Sequence, residues 1–270
     1  MREPGTGSMK KESDMAVKEF YILPGGFLHI DRSILLTANG MGQTIRAPVY
    51  SVLLMHDEGP ILIDCGLNPD GLTHPEQAWG PRAKLIRPEM TEADDIRNRL
   101  RELGLGVSDV RMVIVTHLHW DHTGGLRFFS HCPILVQKVE HRFAFSPDNF
   151  VSLPYMRNHF DFSLDYQPVE GDRMVRPGVS VIKTGGHTPG HQSVLVRLRS
   201  GAYYIFPGDA VPLQENLSLK IPSSNTWSAQ AAMDSIYRLE HLSQLLSAEI
   251  LPSHDIVRWE DLKKSPVAYR

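Results

Sequence analysis

Apolar runs rich in Val, Ile, Leu and Tyr, broken by Gly, Pro and Asp, occupy the first quarter of the chain and predict the hairpins of a sheet. Phe20 to Leu36 and Val49 to Asp64 both read this way. In the second stretch, PVYSVLLMHDEGPILID, two strands flank a turn at Asp57-Glu58-Gly59-Pro60. A Gly- and Pro-rich loop follows from Gly66 to Pro88. Thr91 with Asp94 three residues on then predicts a capping box, ahead of a helix that carries Ile96, Leu100 and Leu103 on one face and stops at Gly104. Val110 to Val115 is apolar except for Arg111, as expected of a strand mostly buried on both faces. It runs directly into THLHWDHTGG, where Gly124 and Gly125 would permit a tight turn and Thr123 would cap the next helix.

The same event recurs downstream. Ile134 to Gln137, Val179 to Ile182 and Tyr203 to Phe206 predict strands, the last two emptying into TGGHTPGH and PGD. Behind Thr226, Ala229, Ala232, Ile236, Leu239, Leu242 and Leu246 recur every three or four residues and predict a long amphipathic helix. A strand at Glu249 to Leu251 then leads to SHD. Strands first, then a helix, then strand and helix in alternation, imply two sheets packed together with helices outside, a layered α/β arrangement. Four polar clusters fall at the ends of four of its strands.

Composition adds limits. The chain has 270 residues, 41% hydrophobic and 22% charged, which fits one large or two small folded domains and excludes general disorder. A net charge of −3 provides no field to draw in nucleic acid or an anionic membrane. Cys65 and Cys132 are too few for a disulfide framework or a thiolate metal cage, which suits a reducing compartment. Met1 to Lys18 mixes charged and small polar residues without an apolar run, so neither a signal peptide nor a membrane span is expected there. The expectation is a flexible extension over residues 1–18, then a single domain over 19–270, in a cytoplasmic protein with neither a nucleic-acid nor a membrane partner. A homodimer is the base-rate expectation.

The 13 histidines change this bland picture by where they stand. His117, His119, Asp121 and His122 lie in the HxHxDH run, His187 in GGHTPGH, Asp209 in PGDA and His254 in PSHD. Side chains two apart on an extended segment point the same way, so His117 and His119 can chelate one ion. The turn that follows swings Asp121 and His122 toward another. Imidazole and carboxylate without cysteine favour zinc, with Fe, Mn and Co also compatible, and seven ligands suit two divalent ions sharing a bridge. Two such ions supply hydrolysis chemistry at neutral pH with no Ser or Cys nucleophile. His191 reads as a structural hydrogen-bonding residue, and His29, His56, His74, His131, His141, His159 and His241 as ordinary ones.

The runs THLHWDHTGG, GHTPGH, GDA and SHD, together with LIDCG at Leu62, resemble the metallo-β-lactamase superfamily of dinuclear metal hydrolases, and their spacing is similar to that of the N-acyl homoserine lactonases. The resemblance implies a four-layer αββα sandwich with the metals at the edge between the two sheets. It implies that His117, His119 and His187 hold one ion, Asp121, His122 and His254 the other, and that Asp209 bridges them, with Asp64 and His191 behind the ligands. The implied activity is opening of an N-acyl homoserine lactone or a related lactone, quorum quenching, by attack of a metal-bridging hydroxide, with Asp121 moving the proton. Asp209 argues against antibiotic hydrolysis, because true β-lactamases of the superfamily lack the bridging carboxylate. Glyoxalase II relatives carry a C-terminal helical domain, whereas 16 residues follow His254.

Trp120 stands where the lactonases commonly have Phe, and with Phe143, Phe145 and Tyr155 it is expected to wall an acyl-chain pocket. One departure is Pro212, three residues after Asp209, where the lactonases usually have a lactone-binding Tyr. Tyr155, Tyr203 and Tyr204 are the candidates to replace it. Two alternatives use the same site: thioester or phosphoester cleavage, for which Lys138, Arg142 and Arg157 would bind the anion, and a non-catalytic lactone-binding protein.

Overall fold

The computed structural model describes residues 16–270. A seven-stranded sheet comprises β1 (Val17–Asp31), β2 (Thr44–His56), β3 (Gly59–Ile63), β4 (Arg87–Glu89), β5 (Met112–Ile114), β6 (Ile134–Gln137) and β7 (Tyr166–Val169), in the order β4-β1-β2-β3-β5-β6-β7. A second, five-stranded sheet comprises β8 (Arg173–Arg176), β9 (Val179–Lys183), β10 (Gln192–Arg197), β11 (Tyr203–Phe206) and β12 (Glu249–Ile250), in the order β12-β11-β10-β9-β8. The Asp57–Glu58 turn joins β2 to β3 as the sequence implies. Because β1 starts at Val17, the expected extension loses its last two residues to the sheet, and residues 1–15 lie outside the described residues.

Period-two alternation produces the layers. Val52 and Leu54, Ile61 and Ile63, and Met112 and Ile114 point into the seam between the sheets, where they meet Val179, Val181, Val194, Val196 and Phe206. Leu53, Leu62 and Val113, one residue out of phase, face the outer side with Leu100, Leu126 and Phe129. On the far side Ile205 packs with Ile236 and Leu239 of the helix Ala229–Leu246. Helix, sheet, sheet, helix is the αββα order that the resemblance implies. Among the described residues no helix is long and apolar enough to cross a membrane.

Strand direction gathers the polar clusters. β3 and β5 run parallel, β10 is antiparallel to both β9 and β11, and β11 is parallel to β12. The carboxyl ends of β9, β11 and β12 therefore open at one end of their sheet, and the segments bearing His187, Asp209 and His254 follow them. The sheets are tied there by Gln192, whose backbone N–H donates to Thr116 O at 2.9 Å and whose side-chain Nε2 donates to Val115 O at 2.8 Å.

Local details depart from the pattern-based reading. The Thr91–Asp94 pair closes a 3-10 turn at Glu92–Asp94, and the helix proper, Ile96–Glu102, takes Asp95 as its cap. Ser228 caps the long helix by accepting from Ala231 N–H. Thr123 caps nothing: it ends the short helix Trp120–Thr123 and donates its hydroxyl back to His119 O at 2.9 Å. Gly124 (φ −57, ψ −34) and Gly125 (φ −95, ψ 2) form the tight turn expected of them, with type I dihedrals, ahead of the 3-10 turn Leu126–Phe129. They also permit close approach. A Cβ on Gly124 would lie 2.0 Å from Asn68 N and 2.2 Å from Leu67 C, and one on Gly125 would lie 2.9 Å from Cys65 O. Because backbone cannot swing aside, Gly124→Ala is expected to cost at least about 3 kcal/mol in chemical denaturation. Gly106→Ala, with its nearest neighbours at 3.6 Å, is expected to change stability by about 1 kcal/mol or less.

Candidate metal centre

The four polar segments meet at one buried place. His117, His119, Asp121, His122, His187, Asp209 and His254 are all buried, and the ring of His117 lies 4.2–4.8 Å from those of His119, His122 and His187. One donor atom from each of His117, His119 and His187 falls within 4.8 Å of the others. The sets His117, His122, Asp209 and Asp121, His122, His254 meet the same limit.

Asp209 divides the cluster. Its Oδ2 stands 3.4 Å from His187 Nε2 and 4.0 Å from His117 Nε2, while Oδ1 stands 3.3 Å from His122 Nε2 and 3.1 Å from His254 Nε2. Asp121 Oδ2 approaches both of the latter imidazoles at 3.8 Å. Ser253, directly before His254, donates its hydroxyl to Asp209 Oδ1 at 2.9 Å.

A second ring of contacts fixes which imidazole nitrogen faces inward. Asp64 Oδ1 accepts from Thr116 N–H at 2.7 Å and Oδ2 from the Thr116 hydroxyl at 2.8 Å. That hydroxyl proton is thus committed, so Thr116 Oγ1 can only accept from His117 Nδ1–H, 3.0 Å away. His122 Nδ1 donates to Asp64 Oδ2 and His254 Nδ1 to Pro48 O, both at 2.8 Å. In all three rings Nε2 is the nitrogen left facing Asp209, the arrangement by which outer carboxylates and carbonyls orient metal ligands. His117 Nε2 and His187 Nδ1 are buried polar atoms with no hydrogen-bond partner. A buried lone pair left unpaired is costly unless a cation takes it, so these residues fit a metal pair.

Burial and charge set the protons. Burial, reinforced by the neighbouring imidazoles, holds His117 well below the ordinary histidine value, and burial takes His187 to about 4. Burial opposes charge on His122 and His254 too, but the carboxylates outweigh it and push both up, Asp209 foremost. For Asp209 itself burial works upward, and the His254 and His122 imidazoles overcome it to hold the carboxyl well below the usual range.

His191 stands behind Asp209 with both ring nitrogens hydrogen-bonded. Its Nε2 accepts from Asp209 N–H at 3.0 Å, which puts the proton on Nδ1 facing Thr184 Oγ1 at 2.9 Å. Thr184 passes the chain to Ser193 at 2.8 Å, and Ser193 donates to Pro207 O at 2.9 Å. Burial takes His191 to about 3, so the ring that holds Asp209 stays neutral.

One residue has no signature in the sequence. Glu140, fully buried on the helix Lys138–Ala144, accepts four hydrogen bonds. Oε1 takes Leu118 N–H at 2.9 Å and the Tyr155 hydroxyl at 3.1 Å, and Oε2 takes the Thr188 hydroxyl at 2.6 Å and Gly190 N–H at 3.2 Å. It thereby clamps the His117–His119 segment to the His187 loop. A Glu in the first turn of a helix is commonplace, which is why no pattern marks it.

The aromatic wall is only partly as expected. Trp120 lines a narrow cavity with His119, Asp121, Asp209 and His254, and Leu28, Ile30, Leu35, Ala47 and Ile86 complete its apolar side. Phe143, Phe145, Tyr155 and Pro212 do not line it. The Tyr155 ring packs on His119 and its hydroxyl is committed to Glu140, so it cannot replace the missing tyrosine. Phe143 lies against Tyr155, and Phe145 against Phe160 beneath Arg157. Pro212 contributes only its carbonyl, which accepts His254 N–H at 2.9 Å. Tyr204 packs edge-to-face on Phe20 in the core and Tyr203 lies with the outer helix cluster. Pro154, directly before Tyr155, lines the cavity instead.

Of the anion-binding candidates, Lys138 pairs with Glu170 and Arg157 with Asp161, and neither they nor Arg142 line the cavity. A roomier cavity of about 410 Å³, between the β5–β7 strands and β8, contains no histidine or cysteine. His159, read as ordinary, is buried beneath the site with Nε2 2.6 Å from Ala78 O and Nδ1 3.3 Å from Trp120 O.

Comparison with known proteins agrees with this geometry. The sequence profile of the metallo-beta-lactamase superfamily matches residues 45–254. An N-acyl homoserine lactonase of Bacillus cereus is 34% identical over 254 residues, covering 93% of this chain and 99% of that protein. The solved structure of an N-acyl homoserine lactone hydrolase with N-hexanoyl-L-homoserine bound at its catalytic metal centre superposes with a TM-score of 0.86 at 32% identity, covering 94% of this chain and all of that one. A quorum-quenching N-acyl homoserine lactone hydrolase superposes at 0.84 with 32% identity, covering 95% of this chain and all of that one. Near full-length similarity of sequence and of fold places the chain in the metallo-beta-lactamase superfamily, as a member of its N-acyl homoserine lactonase family.

Proposed function

We propose that the chain is a dinuclear metal-dependent lactonase that opens the ring of N-acyl homoserine lactones, the activity of its quorum-quenching relatives. The observation that carries the reading is Asp209, one carboxylate oxygen facing each of two imidazole sets. His117, His119 and His187 would hold one ion, Asp121, His122 and His254 the other, with Asp209 between them. Nitrogen and oxygen donors without thiolate make zinc the first choice. Two bound divalent ions supply Lewis-acid polarisation of a carbonyl and a water of lowered pKa.

The chain's own contribution is position and proton management. Thr116, Asp64 and Pro48 hold the ligand imidazoles in one tautomer, and Glu140 holds two of the ligand loops together. The apolar side of the cavity gives the substrate's hydrocarbon a dry surface. Asp121 lines the cavity and would carry a proton from the attacking water to the ester oxygen as it leaves the carbonyl. The ring C–O bond breaks, one water is consumed, and the acid formed releases one proton.

That proton provides the assay. Metal-loaded protein is expected to acidify an indicator solution with a series of N-acyl homoserine lactones and to stop on chelation. A protein with two bound metals that opens none of the series would overturn the reading. Asp209→Asn is expected to lower kcat/KM by at least about 100-fold, measured alongside metal content. Glu140→Gln removes the charge but keeps the shape. It is expected to reduce metal affinity or activity by about 10–100-fold, the range for outer groups that orient ligands.

Metal entry should also release protons. In the metal-free pocket Asp209 favours the protonated forms of His122 and His254, so a bound cation must displace those protons. Zinc titrations by calorimetry in buffers of different ionisation enthalpy are expected to show net proton release, with affinity falling as the pH is lowered.

A further inference from the structure

Apart from imidazole nitrogens of the ligand set, Asn225 Oδ1 is the one buried side-chain polar atom among the described residues that makes no hydrogen bond. Asn225 lines the same cavity as His119, Asp121, Asp209 and His254. Its loop is fastened on both sides. Thr37 N–H donates to Pro222 O at 3.0 Å and Ser224 N–H to Ile34 O at 2.9 Å, and beyond it Trp227 N–H donates to His187 O at 3.0 Å. The Ser223 and Thr226 hydroxyls, 2.9 Å apart, close the loop across Asn225. The carboxamide is therefore held at the wall of this cavity by a loop bonded to one of the ligand residues, and its oxygen makes no hydrogen bond within the protein. A buried acceptor without a partner is a lasting cost, and such a group at a cavity wall is commonly completed by the ligand.

The chemistry of that donor is narrow. A lactone ring carries only acceptors. An N-acyl homoserine lactone adds one donor, the amide N–H on the carbon beside the ring carbonyl, close to the atom that the metal centre must engage. The geometry points to Asn225 Oδ1 as the acceptor for this substrate N–H, making Asn225 the residue that selects N-acylamino lactones over lactones without the amide. The inference rests on the lactonase reading and adds a residue that neither the motifs nor the missing tyrosine at Pro212 would indicate. Sites built to bond a substrate N–H discriminate against analogues that lack it, because the protein group is then left buried and unpaired.

The test compares three substrates of equal tail length on metal-loaded protein: an N-acyl homoserine lactone, its N-methyl amide, and an α-alkyl-γ-butyrolactone. Wild-type protein is expected to favour the first by about tenfold or more in kcat/KM, the scale of one hydrogen bond. In Asn225→Ala this preference is expected to fall by about tenfold, with metal content unchanged. An equal loss on all three substrates, or a preference that survives the substitution, would overturn the assignment of Asn225 and leave the lactonase reading intact. The N-methyl comparison on wild-type protein needs no variant: equal rates with and without the N–H would also overturn the assignment. Failure of the two-metal protein to open any of the three would overturn the lactonase reading and this inference together.

Discussion

The hydrogen bonds accepted by the Asp64 carboxylate are the constraint on which the site depends. Asp64 follows β3 with φ +57, a left-handed conformation that Asp tolerates better than most side chains. Its N–H donates to Ile114 O, and its two oxygens take both donors of Thr116 and face His122 Nδ1. One side chain thus joins the ends of β3 and β5, sets the tautomer of His122 directly and that of His117 through Thr116. Without it, neither imidazole has a defined inward nitrogen. Glu140 does the corresponding work on the other flank, and Gly124 and Gly125 let the loop after β3 close to contact distance.

These supports show how a fold can collect seven ionisable groups in one buried volume without collapsing electrostatically. Each charge is answered locally: Asp209 by imidazoles, a serine hydroxyl and its own backbone anchored to a neutral His191, and Glu140 by four donors and no cation. Imidazoles with no acidic partner at hydrogen-bond distance, such as His117, are left neutral by burial. The residual unpaired lone pairs are the part of the balance that the protein alone does not close.

Much of this was legible in the sequence. The strands Ile134–Gln137 and Tyr203–Phe206, the long helix from Ala229 to Leu246 and the convergence of the seven candidate ligands follow from periodicity, motif spacing and family resemblance. What was not legible depends on contacts between distant segments. Glu140 carries no local signal, since its four partners come from segments 15–50 residues away. Tyr155 looked like a pocket residue because it is aromatic and near the right loop. Its hydroxyl, however, serves Glu140. The turn at the glycines after His122 was legible, but their second reason, a backbone passing at van der Waals contact, is visible only in three dimensions.

Trp120 stands in the chain between His119 and Asp121, its N–H bonded to Pro154 O at 3.1 Å and its carbonyl facing His159. The same short helix therefore carries both an apolar wall of the cavity and two of the candidate ligands. A substitution at Trp120 therefore acts on the cavity wall and, through the same helix, beside Asp121 and His122. The loop from Pro222 to Ser228 is different: it reaches the cavity through Asn225 and none of the seven candidate ligands lies on it. Within this architecture, a stretch of the cavity wall is carried by chain separate from the segments that bear the candidate ligands.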